Sequence, residues 1–386
     1  MSLAPRAGLT SVTRMSRVPT IPSSREQELL TAARQGSESA FAALVAPYRG
    51  ELHAHCYRML GSVHDAEDAL QDTLLRAWRA ISRFEGRSSL RSWLYTIATN
   101  TSLNLIAKRP KRVLPIDYGP ATDPHDGPGE PIVESVWIEP YPDDQIGVED
   151  GLAGPAARYE RRESVELAFV AALQYMPANQ RAVLILREVL GFSAAEVADM
   201  LETTVASVNS AMQRARKTVD ARLPDRSQQA TLRALGDERL KELVDGYVDA
   251  WMRGDVDAVA RMLSEQATFA MPPLRSWFGP RDQIREFLAG YPLSGLWRWR
   301  VVRSRANAQP ALAFYAWDDD AQAYLPFALN VLTFEEELIS NVTAFVNRSI
   351  EPTERTAYHR WVDQPADAQR LTGTFEIFGL PDRLDA

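Results

Sequence analysis

The residues best placed to do chemistry in this chain are hydrogen-bonding and cationic rather than nucleophilic. Thr204, Ser207, Asn209, Ser210, Gln213, Arg214, Arg216 and Lys217 fall outside an apolar helical stripe made by Val205, Val208, Met212, Ala215 and Val219. Hydroxyls and amides come first and cations follow. That order suits a helix whose start meets base edges in a DNA groove and whose flank meets phosphates. Such a helix needs a support, and Ala194, Val197, Ala198 and Leu201 predict a short one before it. The polar Glu202-Thr203-Thr204 break separates them, with Thr204 as the N-cap of the second. Residues 192 to 222 therefore read as a helix-turn-helix. An ordinary amphipathic pair with a solvated basic face fits the same spacing.

The whole chain, 386 residues with 45% hydrophobic and 24% charged composition, predicts about two or three soluble globular domains. No apolar run approaches the roughly 18–20 residues needed to cross a bilayer. The N-terminus has Arg6, Arg14 and Arg17 but no apolar core segment, so a cytoplasmic protein without membrane contact is expected. Cys56 is the only cysteine, which rules out intramolecular disulfides and cysteine-rich zinc sites; a buried structural thiol is expected there. The net charge of −8 is unevenly spread. Between Thr73 and Arg112, Arg76, Arg79, Arg83, Arg87, Arg91, Lys108, Arg109, Lys111 and Arg112 face the single anion Glu85. The stretch from Val113 to Glu160 is the reverse: acidic throughout, with Arg158 its one cation. A basic segment followed at once by an acidic one points to nucleic acid more than to solubility.

Residues 1–22 lack periodicity and read as disordered. From 23 to 112 three apolar stripes predict a helical bundle: Phe41, Leu44, Val45 and Tyr48 continued by Leu52, Cys56, Met59 and Leu60; then Ala66 to Ile81; then Trp93 to Ile106. Trp78 and Trp93 fall on these stripes and are expected in the core.

The run from His64 to Trp78, then Phe84, then Arg91 to Asn100, resembles region 2 of bacterial extracytoplasmic-function sigma factors. Gln180 to Ser193, leading into the helix-turn-helix over 161–223, resembles their region 4. The resemblance implies that Asp68, Gln71 and Asp72, at i, i+3 and i+4 on one helical face, dock on the clamp helices of the largest subunit of core RNA polymerase. A solvated acidic helix start would have the same residues. It also implies that the loop from Glu85 to Ser89 and the helix from Arg91 hold the opened promoter strand, with Arg87, Arg91, Tyr95, Asn100, Lys108 and Arg109 as candidates. Cations for a backbone and a pocket or aromatic platform for flipped bases are what an opened strand needs. In the recognition helix Asn209, Ala211 and Gln213 stand where many relatives carry Lys, Arg and His, leaving Arg214, Arg216 and Lys217 for phosphates.

Residues 113–160, with eight prolines, read as an extended acidic linker. The family resemblance implies a path near the polymerase cleft, where carboxylates would imitate nucleic acid; a solvated spacer is the other reading. After Pro224 two amphipathic helices precede a run of strand patterns, which implies α+β. Residues 237–350 resemble a SnoaL-like domain, a curved sheet folded over helices into a cone. Some relatives of that fold are cyclases and isomerases using Asp with His or Arg, but 237–350 has no histidine, and Asp245 and Asp249 read as solvated or capping carboxylates. Trp277, Phe278, Trp297, Trp299, Phe314 and Trp317 fill a sheet core or line a pocket for an unknown small ligand. Residues 351–386 are a C-terminal extension ending near Phe378-Gly379-Leu380-Pro381.

The expected protein is thus multidomain: two all-α domains followed by an α+β SnoaL-like domain. Its expected role is an alternative sigma factor binding core polymerase and promoter DNA, regulated in cis by the C-terminal domain, with no catalytic residue, metal or cofactor. A DNA-tethered cyclase- or isomerase-like enzyme and a plain helix-turn-helix repressor are the alternatives.

Overall fold

A helix with no exposed face organises the N-terminal half. In the computed structural model, which describes residues 24–129, 131, 132, 136–146, 162–319, 321–347 and 373–385, α1 (Ser24–Arg34) and α2 (Glu38–Val45) lead into α3 (Arg49–Leu60). From Leu52 to Leu60 every residue of α3 is buried. The sequence predicts one apolar face there; the other side is polar but paired. His55 bonds Thr99 Oγ1 at 2.9 Å, and burial, with Arg58 and Arg91 nearby, pushes its pKa down to about 3, so the ring is neutral. Cys56 is buried, and burial raises its thiol pKa to about 12, as befits a structural residue.

α4 (Val63–Ala80) starts where the Ser62 hydroxyl accepts from the Asp65 N–H, an N-cap of the usual geometry. Val63, Ala66, Ala69, Leu70, Thr73 and Ala77 form its inner face. α5 (Leu90–Ile106) is capped in the same way by Ser89. Trp78 packs at a tilt on Phe41, 5.2 Å between ring centroids, and Trp93 likewise on Phe84 at 4.9 Å, both half-buried at the edge of this core.

The linker departs from the expectation of an extended spacer. Its described part forms a short helix, α6 (Pro115–Tyr118), and buries Trp137, Ile138, Tyr141 and Ile146. Beyond it come α7 (Leu167–Gln174), α8 (Ala178–Leu184), α9 (Ala194–Met200) and α10 (Val205–Arg222). Ser193 and Glu196 cap α9 reciprocally, and Thr204 caps α10 by accepting from the Ser207 N–H at 3.1 Å. Of the stripe predicted on α10, Val208, Met212, Ala215 and Val219 are buried, whereas Val205, in the first turn, is 44% exposed.

The C-terminal half has α11 (Gln228–Leu235), α12 (Asp237–Met252), α13 (Val256–Arg261), β1 (Leu263–Ala270), β2 (Trp277–Phe278), α14 (Arg281–Gly290), β3 (Trp299–Ala306), β4 (Gln309–Asp318), β5 (Ala323–Glu335), β6 (Leu338–Val346) and α15 (Thr374–Ile377). The six strands run in the order β2-β1-β6-β5-β4-β3, with only the β1–β6 pair parallel. Both faces are covered, which explains why β4 is apolar almost without alternation. Leu312, Phe314 and Ala316 face α12 and α14 in one core; Ala311, Ala313 and Tyr315 join the core of the helical half. The tail closes this second face: Phe375 packs on Tyr315, and Leu384 pairs with Tyr324. The disorder expected at 1–22 and residues 351–372 of the C-terminal extension lie outside the described residues.

Candidate nucleic-acid and polymerase interfaces

α10 presents the face that its sequence implies. Ser207, Asn209, Ser210, Gln213, Arg214, Arg216 and Lys217 are all exposed beyond the Thr204 cap. Asn209, Gln213, Arg216 and Lys217 line one shallow depression with Arg187 and Asp220. Arg216 is committed to Glu188 at 2.5 Å, an ion pair that orients it along the flank of the helix.

On α4, Asp68, Gln71 and Asp72 share the solvent-facing side, opposite the buried Ala66, Ala69, Leu70 and Thr73. Leu75, 46% exposed, continues this face, so it offers carboxylates beside an uncovered leucine. Asp72 lies 3.7 Å from Arg76, and Gln71 donates to Glu67 at 3.0 Å.

The six candidates for the opened strand divide. Arg87, Asn100 and Lys108 are exposed, with Arg87 paired to Glu85 at 2.6 Å. Arg109 instead reaches into the structure and pairs with the buried carboxylate of Asp65, which Arg112 also holds at 2.5 Å. Tyr95 is fully buried: its ring meets Phe192 edge-on at 5.5 Å and its hydroxyl donates to Glu51 at 3.3 Å. Arg91 is half-covered, its guanidinium 4.7 Å over the Phe192 ring and 3.4 Å from the Leu190 carbonyl. Tyr95 is therefore closed to DNA in this arrangement, while Arg109 is half-covered and committed to Asp65. Tyr95 is covered because α5 packs on two sides, against α3 and α4 on one and against the segment before α9 on the other.

The two helical units are joined through buried polar groups as well. Arg58 donates to the Ser164 carbonyl at 3.2 Å and hydroxyl at 3.0 Å, and the Gln174 amide reaches the Arg58 carbonyl at 3.4 Å. Arg181, buried, donates to the Met59 carbonyl and, at 2.6 Å, to Gln174; burial pushes its pKa down to about 10. Gly61 ends α3 at φ +71°, a left-handed backbone that favours glycine, and a Cβ there would sit 3.2 Å from the Gln174 side chain.

Linker carboxylates staple the parts together. Glu139 accepts from Ser62 and His64 at 2.8 Å each and lies 3.6 Å from Arg112; burial acts against its charge, but these partners hold its pKa down to about 2. Asp117 lies 3.8 Å from Arg222 on α10, and Asp143 2.9 Å from Arg305 on β3. At the centre is the β3–β4 turn, where Asn307 and Ala308 both have positive φ, 55° and 58°. The Asn307 amide donates to the Tyr57 hydroxyl and to the Val165 carbonyl, each at 2.8 Å, while its oxygen accepts from the Tyr141 N–H at 3.0 Å. Gln309 accepts from Leu167 N–H at 3.0 Å at the start of α7. One hairpin tip thus touches the first helical unit, the linker and the second unit.

Comparisons with known proteins bear on these surfaces. Residues 44–112 match sigma-70 region 2, residues 166–219 match sigma-70 region 4, and residues 244–342 match the SnoaL-like domain. The ECF RNA polymerase sigma factor SigG of Mycobacterium tuberculosis is 42% identical over 316 residues, covering 81% of this chain and 82% of that one. The chain belongs to the ECF RNA polymerase sigma factors. The sigma-E factor of Escherichia coli is 27% identical over 195 residues, covering 50% of this sigma factor and 92% of its own length. The crystal structure of the Mycobacterium tuberculosis sigma factor SigJ shares the fold, with a TM-score of 0.50 at 20% identity over 80% of this chain and 95% of that one. This sigma factor thus consists of helical regions 2 and 4 followed by an α+β SnoaL-like domain. Among its described residues no helix is long and apolar enough to cross a membrane.

Sequence reasoning missed the joint itself. Glu139, Tyr141, Asp143, Asn307 and Gln309 make it, and their partners lie on distant elements. The only local signal was three large apolar residues, Trp137, Ile138 and Tyr141, in an otherwise proline-rich acidic stretch.

Proposed function

We propose that this sigma factor is held by its own C-terminal domain in a closed state that hides part of its promoter-opening surface. The observation that carries the proposal is the burial of Tyr95 and the covering of Arg91 by Leu190 and Phe192, in a joint bridged by Asn307. In the cytoplasm, the α4 face with Asp68, Gln71 and Asp72 docks on the clamp helices of core polymerase. The α10 face reads the upstream promoter element through Thr204, Ser207, Asn209, Ser210 and Gln213, with Arg214, Arg216 and Lys217 on phosphates. Once region 4 swings away, Arg91 and Tyr95 become available to the opened strand beside Arg87, Asn100 and Lys108, while Arg109 stays with Asp65. Because the domains share one chain, their effective concentration is in the millimolar range, so modest contacts suffice for closure.

The C-terminal domain acts here as a regulator and not as an enzyme. Asp245, the best candidate acid, pairs with Arg303, and Asp249 pairs with Arg253. Among the described residues, the wall of the domain's aromatic cavity has no charged side chain and no carboxylate–base pair for proton transfer. Run-off transcription with core polymerase tests the proposal. A chain ending at Arg222 should initiate more strongly than the full chain on the same promoter; equal yields would overturn control in cis.

A further inference from the structure

Lysine is scarce in this protein. Of its 43 lysines and arginines only four are lysine: Lys108, Lys111, Lys217 and Lys241. All four are exposed, and Lys111, just beyond the end of α5, lies in the seam between regions 2 and 4. Its Nζ is 3.3 Å from the centroid of the Tyr175 ring at the end of α7. The guanidinium of Arg222, the last residue of α10, is 3.1 Å from the same centroid. Two cations come that close to one ring only on opposite faces, so Tyr175 is sandwiched between a cation of region 2 and a cation of the recognition helix.

Arginine would hold that ring as well as lysine does, since a guanidinium also packs on aromatic faces and never loses its charge. What lysine adds is an amine that becomes a nucleophile when it gives up its proton. The surroundings of Lys111 favour that form. Desolvation against the ring and the charge of Arg222 push its pKa down; Asp117 opposes the shift and Arg181 adds to it. Asp117 is shared with Arg222, 3.8 Å away, so it does not serve the amine alone. The side chain nevertheless stays open to solvent, and a small reagent can reach it.

We propose that Lys111 is a modification site, acylated by a small acyl phosphate, and that its acylation loosens the seam between regions 2 and 4. In the reaction the lone pair of the neutral amine attacks the acyl carbonyl carbon. An N–C bond forms, the C–O bond to phosphate breaks, inorganic phosphate leaves with the electron pair, and the surplus amine proton passes to water. The product is a neutral amide without the charge that the Tyr175 ring attracts. Asp117 already offsets the charge of Arg222, so little repulsion is relieved in exchange, and Tyr175 is left held from the α10 side alone. The inference rests on the closed-state reading only for its effect on transcription.

Incubating the full chain with acetyl phosphate at mildly alkaline pH, followed by digestion and mass spectrometry, tests the site. Lys111 should gain its acetyl group several-fold faster than Lys217 and Lys241, and Arg222→Gln should slow it towards their rate by removing a cation that favours the neutral amine. Lys111 reacting no faster than those two, or reacting at the same rate in Arg222→Gln, would overturn the site. Lys111→Gln, which carries a neutral amide as the product does, should quicken hydrogen exchange at the end of α7 and in the last turn of α10, whereas Lys111→Arg should not. Equal exchange in the two variants would overturn the loosening of the seam. Run-off transcription keeps this apart from the closed-state reading: a raised yield from Lys111→Gln supports both, while quickened exchange with unchanged yield upholds the seam and counts against closure as the control of initiation.

Discussion

The side-chain amide of Asn307 donates to the Tyr57 hydroxyl at 2.8 Å, joining residues 250 apart in sequence. The same amide group holds Val165 and Tyr141, so one short turn fastens region 2, the linker and the start of region 4. Asn307 suits the place twice over, since asparagine tolerates the left-handed backbone of a tight hairpin better than most residues.

Asn307→Gly keeps that backbone and removes three side-chain hydrogen bonds. At about 1 kcal/mol each, their loss should shift the closed-to-open ratio by roughly a hundredfold. Hydrogen exchange should quicken in the linker around Tyr141 and along α5 near Tyr95. Unchanged protection in both would mean that the hairpin does not maintain the joint.

Asp68→Ala combined with Asp72→Ala should weaken core-polymerase binding by about tenfold or more, because charged hydrogen bonds contribute roughly 1.5–3 kcal/mol each. The fold should survive, since the Asp72–Arg76 pair is a surface contact and such pairs add little. Anisotropy titration against labelled core reads the affinity, and an unaltered value would remove α4 from the docking surface.

Arg214→Ala and Lys217→Ala should each lower affinity for all promoters alike and reduce the slope of log affinity against log salt by about one. Asn209→Ala and Gln213→Ala should change which upstream sequence is preferred. Identical promoter profiles for the two sets would contradict the division of α10 into base-reading and phosphate-holding faces.

Glu166 gives the joint a pH dependence. Its carboxylate accepts from the Gln228 and Gln229 N–H groups at 3.1 and 2.7 Å, yet burial outweighs these bonds and pushes its pKa up to about 8. An acid with a pKa raised on folding holds its proton more tightly in the folded state. Its contribution is therefore complete below the ordinary value of 4.5 and is lost as pH rises through about 8. Thermal stability should fall from pH 5 to pH 8 through this group, and Glu166→Gln should flatten that fall; an unchanged profile in the variant would assign the effect elsewhere.

Much of the architecture was legible because it is local. The stripes of α4 and α10, the Thr204 cap and the strands from Ala311 to Val346 follow from spacing alone, and Asp68, Gln71 and Asp72 emerge together on one open face. The burial of Tyr95 was not legible because its neighbour Phe192 is almost a hundred residues away and covers a helix side that the region 2 pattern leaves unassigned. The linker was misjudged for the same reason. Its prolines and carboxylates describe an extended chain, but the cations that meet them, Arg112, Arg222 and Arg305, come from three separate units.

The most direct measurement is run-off transcription by core polymerase with the full chain and with Asn307→Gly at equal concentration on one promoter. If the C-terminal domain holds regions 2 and 4 closed through Asn307, the variant should yield several-fold more transcript while binding core equally well. Equal or lower yield from a folded variant with unchanged core affinity would contradict the closed-state account.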